Sequence, residues 1–236
     1  MPKDIQKKLQ QQAIAAKQGA KCLAKIPGNI KDMALRNIAK EIIDRQNTIL
    51  EANNQDYIHS KELGLSESLL DRLLLTPSRL LEMAGDVERI ADLPDPIGET
   101  FDMRTMPNGL QIGKRRVPLG VIGAIYESRP NVTVDISCLC LKSGNGVVLR
   151  GGKEAFNSNQ ALVALIRDAL KEAGGPIDAV QFLNSTDRRT VDMLLGMNDF
   201  IDLMVPRGGE QFIRYVGEKA TMPVVTGGVG VCHTYV

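Results

Sequence analysis

Two stretches of this sequence place glycine pairs and cations where an apolar run ends. Val147-Val148-Leu149-Arg150 runs into Gly151-Gly152-Lys153-Glu154, and Val205-Pro206-Arg207 runs into Gly208-Gly209-Glu210. Glycine costs backbone entropy, so a pair needs a reason such as unusual φ/ψ or close approach by another group. An anion held by backbone N–H groups and a cation supplies one. The simpler alternative is a tight strand-to-helix turn. For one pair alone the turn would suffice; for two at one sheet edge, each beside a cation (Lys153, Arg207), the anion site is favoured.

Spacing excludes the two commonest phosphate loops. A Walker A loop needs GxxxxGK[ST]. The run from Gly146 to Gly152 is one residue too long, and Glu154 stands where a magnesium-binding hydroxyl is required. The GxGxxG fingerprint fails too: Gly144-Asn145-Gly146 fits only its first half and precedes a strand. A third stretch, Glu127-Ser128-Arg129-Pro130-Asn131, follows the apolar run GVIGAIY. Charged and amide groups just past a buried strand suit substrate contact. Capping by Asn131 with a surface ion pair fits equally well.

The thiols and imidazoles offer less. Cys138 and Cys140 lie two apart in a helical stretch, so they do not share a face and read as core thiols. Cys232 and His233 are adjacent in a strand-like run and point to opposite faces, against a catalytic pair. With two distant histidines, His59 and His233, a histidine metal site has little material.

The elements that must position these groups fall into three regions. Residues 3–92 read as helices: 28–50 keeps apolar residues at three-or-four spacing, and Thr76-Pro77 opens a helix to about 91, stopped by Pro94 and Pro96. Residues 100–117 read as a β-hairpin around Pro107-Asn108-Gly109, either an interaction element or a solvated edge. From 118 onward strands and helices alternate. GVIGAIY, 146–150, 178–183, 200–205, 222–226 and 230–236 read as strands, and 131–143, 158–173, 187–197 and 208–219 as helices. The pattern implies an α/β fold: a mostly parallel sheet with helices on both faces, binding ligands beyond the carboxyl ends of its strands. The domain division is 1–99 helical, 100–117 hairpin and 118–236 α/β.

Composition bounds the function. The 236 residues are 43% hydrophobic and 24% charged, with 29 Lys+Arg against 28 Asp+Glu for a net charge of +1. That balance, with four Tyr, five Phe and no Trp, argues against nucleic-acid binding. The apolar runs are too short for a bilayer. No CxxC pair and no secretion signal occur, so free thiols in the cytoplasm are expected.

RRVPLGVIGAIYESRPNVTVD, LKSGNGVVLRGGKEA, VPRGG and VVTGGVGVCHTYV together resemble the glutamate-5-semialdehyde dehydrogenases, also called γ-glutamyl phosphate reductases, of the aldehyde dehydrogenase superfamily. The likeness runs in order over essentially the whole chain. It implies NADPH-dependent reduction of the acyl phosphate L-glutamyl 5-phosphate to L-glutamate 5-semialdehyde, the second step of proline biosynthesis, through a cysteine thioester. It assigns Arg150, Gly151, Gly152 and Lys153 to the cofactor, with Lys153 on the 2′-phosphate of NADP, and Arg207, Gly208 and Gly209 to the diphosphate. Asn131 could supply the oxyanion amide; Arg129 either takes that place or binds a substrate anion. Val224-Val225-Thr226-Gly227-Gly228 lacks the carboxylate with which hydrolytic relatives activate water, as suits a reductase.

By the same resemblance the nucleophilic cysteine lies beyond Val236, and none of the four cysteines takes its position. The chain is therefore expected to be a C-terminally truncated enzyme, inactive alone, whose complete form is a homo-oligomer. Two rivals stand beside this: a non-catalytic nucleotide- or partner-binding remnant of the same fold, and a segment of a larger bifunctional enzyme.

Overall fold

The structure, a computed structural model, describes residues 2–187 and 189–226. The expected strand 230–236, with Cys232 and His233, and the Gly227-Gly228 pair lie outside the described residues.

Five helices come first: α1 (Pro2–Leu23), α2 (Gly28–Asp44), α3 (Gln46–Glu62), α4 (Glu67–Leu73) and α5 (Pro77–Asp92). The start of α5 follows from local chemistry: the Thr76 Oγ1 accepts a hydrogen bond from the Arg79 N–H at 3.2 Å, and Pro77 follows the cap. Its buried Leu80, Met83, Ala84, Val87 and Ala91 recur at helical spacing. The amphipathic stretch 28–50 is not one helix. It breaks at Arg45, whose N–H bonds back to Glu41 O and Ile43 O, and whose guanidinium reaches Asp168 at 2.8 Å. Helical periodicity continues across the break, so the pattern alone does not reveal it.

Strands β1 (Thr100–Thr105) and β2 (Gln111–Arg115) form an antiparallel hairpin that is exposed along both strands. Its turn contains Gly109 at φ 83°, a conformation that glycine adopts without strain.

The α/β region follows as β3 (Val121–Tyr126), α6 (Pro130–Lys142), β4 (Gly146–Arg150), α7 (Phe156–Glu172), β5 (Val180–Phe182), α8 (Arg189–Leu195), β6 (Leu203–Arg207) and α9 (Glu210–Lys219). The four strands are parallel, in the order β5-β4-β3-β6. Strands β3 and β4 are buried at every residue, as unbroken apolar runs in a doubly covered sheet should be. Alternation divides the core in two. Ile122, Ala124 and Tyr126 pack with α2, α5, α6 and α7, while Val121 and Ile125 pack with α1, α8 and α9. Helices α6 and α7 follow β3 and β4 on one face; α8 and α9 lie on the other, a change that right-handed crossovers require once strand order reverses.

Three strand boundaries differ from the sequence pattern. Strand β5 covers Val180–Phe182 rather than 178–183, because Ile177–Ala179 form a 3₁₀ turn. Strand β6 begins at Leu203 rather than 200, because Phe200 and Ile201 fold back onto Met197 O. Asp202 then ties the strand to its neighbour, its Oδ2 accepting from Val121 N at 2.8 Å. The expected strand 222–226 reduces to a single parallel bridge, Met204 to Val224, held by Met204 N to Pro223 O and Val225 N to Met204 O. Pro223 has no N–H to extend the ladder.

Candidate functional site

Sheet topology marks where a ligand belongs. Chain order along β3, β4, β5 runs outward in one direction, and β6 then joins the opposite side of β3. The gap between β3 and β6 is the point at which strand order reverses, where doubly wound sheets open a crevice at their carboxyl ends. Tyr126 pairs with Arg207 across this gap, so Glu127-Ser128 and Gly208-Gly209 leave the sheet side by side. The Gly151-Gly152 turn leaves β4 on the far side of β3. The two glycine pairs therefore share one sheet edge, two strand spacings apart, or about 10 Å.

The glycines at 151 and 152 are explained by close approach. A Cβ on Gly151 would lie 2.1 Å from Asn159 Nδ2 and 3.2 Å from the Tyr126 ring. One on Gly152 would lie 2.0 Å from Glu154 Oε1. Gly152 has φ −61° and ψ 156°, which any residue could adopt, so space rather than conformation demands glycine. The Glu154 carboxylate fills that space because it faces inward. Its Oε1 accepts from Ser128 N at 2.6 Å and Ser128 Oγ at 2.8 Å. Ser128 is buried and has φ 40°, a strained conformation for a residue with a Cβ. Glu154 thus fastens the loop after β3 to the turn after β4.

Lys153, between these inward-facing residues, is exposed, and its ammonium makes no ion pair or hydrogen bond among the described residues. Arg150 is 8% exposed, on the strand position paired with Ile125. Its charge acts on Tyr126 and Asp187.

The two helix N-termini differ. That of α7 is already satisfied: the buried Asp56 of α3 accepts from Ser158 N and Oγ at 2.7 Å each through one oxygen, and from Asn157 N and Nδ2 through the other. That of α9 has no side-chain cap, and a Cβ on Gly209 would meet nothing within 4 Å. An anion at this edge has free backbone donors at Gly208-Gly209 and none on those first-turn groups of α7. Glu127 is the near neighbour, its Oε2 lying 2.8 Å from where a Cβ on Gly208 would stand.

Arg129 occupies the N-cap position of α6 with no capping bond, and Asn131 does not cap the helix either. Asn131 instead donates from Nδ2 to Asp135 Oδ2 at 3.1 Å, one turn along. Arg129, Asn131 and Asp135 line one side of a cleft of about 460 Å³; α4 and α5 supply the other. Burial pushes the Asp135 carboxyl above the usual range, and the charge of Asp86 on α5 adds to this. Sequence reasoning missed Asp135, although its helical spacing from Asn131 was the available signal. Glu154 and Asp56 were also missed, because their partners lie far along the chain.

Cys138 and Cys140 are buried, and burial pushes both thiols up, Cys140 to about 12, so neither is a nucleophile in this form. No group of three potential metal ligands occurs among the described residues. No described helix is long and apolar enough to cross a membrane.

Comparison with known proteins adds to this geometry. No family model matches the chain. The γ-glutamyl phosphate reductase of Dehalococcoides mccartyi strain CBDB1 is 54% identical over 228 residues, covering 97% of this chain and 54% of that protein. The Escherichia coli O81 protein of the same name is 50% identical over 228 residues, covering 97% and 55%. The chain thus spans about half the length of the curated relatives it matches. The crystal structure of γ-glutamyl phosphate reductase from Thermotoga maritima superposes with a TM-score of 0.92 at 43% identity, covering 94% of this chain and 54% of that one. A probable aldehyde dehydrogenase from Listeria monocytogenes shares the fold, with a TM-score of 0.74 at 17% identity over 95% of this chain and 46% of that one.

Proposed function

We infer that this chain belongs to the γ-glutamyl phosphate reductases and serves the reduction of L-glutamyl 5-phosphate to L-glutamate 5-semialdehyde, with NADPH as hydride donor and phosphate released. The observation that carries the reading is 54% identity over 228 residues to a protein of that name. The edge described above fits a dinucleotide. Gly208-Gly209 and the open N-terminus of α9 suit a diphosphate at the reversal point of the sheet. Lys153 is exposed and unpaired among the described residues, as a partner for a 2′-phosphate must be. Arg129 and Asn131 face the adjoining cleft, where a substrate anion and an oxyanion would meet a guanidinium and an amide.

Lys153→Glu tests the cofactor assignment. A charge-assisted bond to the 2′-phosphate is worth about 1.5–3 kcal/mol, or roughly tenfold to a hundredfold in affinity. Fluorescence titration should show NADPH favoured over NADH by the parent chain and that preference lost in the variant. An unchanged preference removes Lys153 from the cofactor site.

A further inference from the structure

The cleft between α6 and the α4–α5 pair holds opposite charges that do not meet. Arg129 is half-buried, and its guanidinium makes no hydrogen bond or ion pair among the described residues. Asp135, also half-buried, accepts only the neutral Asn131 amide. No described cation forms an ion pair with it, although the charge of Arg207 acts on it. Another opposite pair in the same cleft does meet. Arg79 and Asp71, which also line this cleft, are 2.7 Å apart. Asp86, facing Asp135 from α5, engages Arg89 through one oxygen and leaves the other unengaged.

Arg72 and Glu82 also line the cleft but are exposed; the half-buried Arg129, Asp135 and Asp86 call for a ligand with two poles. A simple anion would find Arg129 but meet Asp135 and Asp86 as well; a simple cation would meet the reverse. A zwitterion satisfies both, and charge-assisted hydrogen bonds are the strong ones in such a recess.

We propose that this cleft reads the head group of an α-amino-acid substrate, Arg129 taking the α-carboxylate and Asp135 with Asp86 taking the α-ammonium. The proposal rests on the reductase reading above, whose substrate carries such a head group. It assigns Asp135 and Asp86 a specificity role and places the substrate's head between α5 and α6. An ammonium held by carboxylates also stays protonated. Without its lone pair it cannot close on the acyl group at the other end of its own chain.

The test is a set of NMR titrations of the isotope-labelled 236-residue chain with three probes: L-glutamate, glutarate (carboxylates, no ammonium) and n-butylamine (ammonium, no carboxylate). L-Glutamate should shift amide signals in 129–135, and each one-poled probe should bind about tenfold more weakly. Asp135→Asn should weaken L-glutamate about tenfold and leave glutarate unchanged; Arg129→Gln should weaken both and leave n-butylamine unchanged. Equal binding of the three probes by the parent chain, or no shifts in 129–135, overturns the proposal without recourse to a variant. NADPH titration of the same sample separates it from the reading beneath it. No NADPH response refutes the reductase reading. An NADPH response with a cleft blind to the two poles refutes the cleft assignment alone.

Discussion

Gly152→Ala is the most discriminating change available at the strand edge, because two physical effects predict opposite signs. The backbone of Gly152, at φ −61° and ψ 156°, suits alanine. Removing glycine's freedom from the unfolded chain should then stabilise by about 0.4–1 kcal/mol. Against this stands the Glu154 carboxylate, which an added Cβ would approach to 2.0 Å. Glu154 can swing away, but its carboxylate end is what holds Ser128 N and Oγ at 2.6 and 2.8 Å. Hydrogen bonds to a charged acceptor contribute about 1.5–3 kcal/mol each. Because Glu154 is partly exposed, water recovers some of this, leaving a loss of about 2–4 kcal/mol for the pair. The buried Ser128 N–H at φ 40° is then left both unpaired and strained.

The net expectation is destabilisation by about 1–3 kcal/mol, read from urea unfolding as a fall in midpoint at constant slope. The mechanism has a sharper signature in a double-mutant cycle. If Gly152→Ala acts by displacing the carboxylate, Glu154→Ala removes the same two bonds, and the double variant should cost no more than the larger single change. Two outcomes would refute the reasoning: a Gly152→Ala variant as stable as its parent, or costs that add.

Two other substitutions probe charges that the fold buries. Asp56→Ala removes the acceptor of four hydrogen bonds at the start of α7 and should cost about 3–5 kcal/mol, a fall in melting temperature on the order of 10 °C by circular dichroism. Asp135→Asn should do the reverse. The folded state raises the Asp135 carboxyl, so it holds the proton more tightly than the unfolded chain, and stability falls as pH rises from the unfolded value near ~3.9 through the folded one. The variant should therefore be more stable than its parent at pH 7, and urea unfolding should show the advantage vanishing below about pH 3. A loss of stability at pH 7 would show that Asp135 is compensated by a contact other than Asn131.

What the sequence makes legible here is what short-range chemistry decides. Thr76-Pro77 starts α5 because cap and proline act within three residues, and β4 reads as a strand because a run buried on both faces must be apolar throughout. The turn at 151–152 is legible in the sequence, but the reason for its glycines is not. The sequence pattern favours an external anion for both glycines, whereas Asn159 and Glu154 of the same chain already fill the space above them. Likewise the first-turn amides of α7 look available in sequence. The residue that occupies them, Asp56, is 101 residues away from Asn157, and no local pattern joins the two. The break at Arg45 and the loss of strand 222–226 have the same origin: tertiary placement decides where a continuing pattern stops.

Neighbouring residues in Gly152-Lys153-Glu154 consequently answer to different demands. The 3₁₀ turn over Lys153–Ala155 sends Lys153 into solvent and Glu154 into the gap above Gly152. Glu154 holds Ser128, and Ser128 is followed by Arg129 and Pro130 at the head of α6, whose next turn carries Asn131 and Asp135 into the cleft. One carboxylate therefore sets the position of both sides of the edge, the turn that presents Lys153 and the loop that presents Arg129. A charge reversal at 153 and a deletion at 154, one residue apart, should differ in kind. The first alters which dinucleotide is preferred on an intact loop; the second loosens the loop, and with it the head-group cleft, whichever dinucleotide is present.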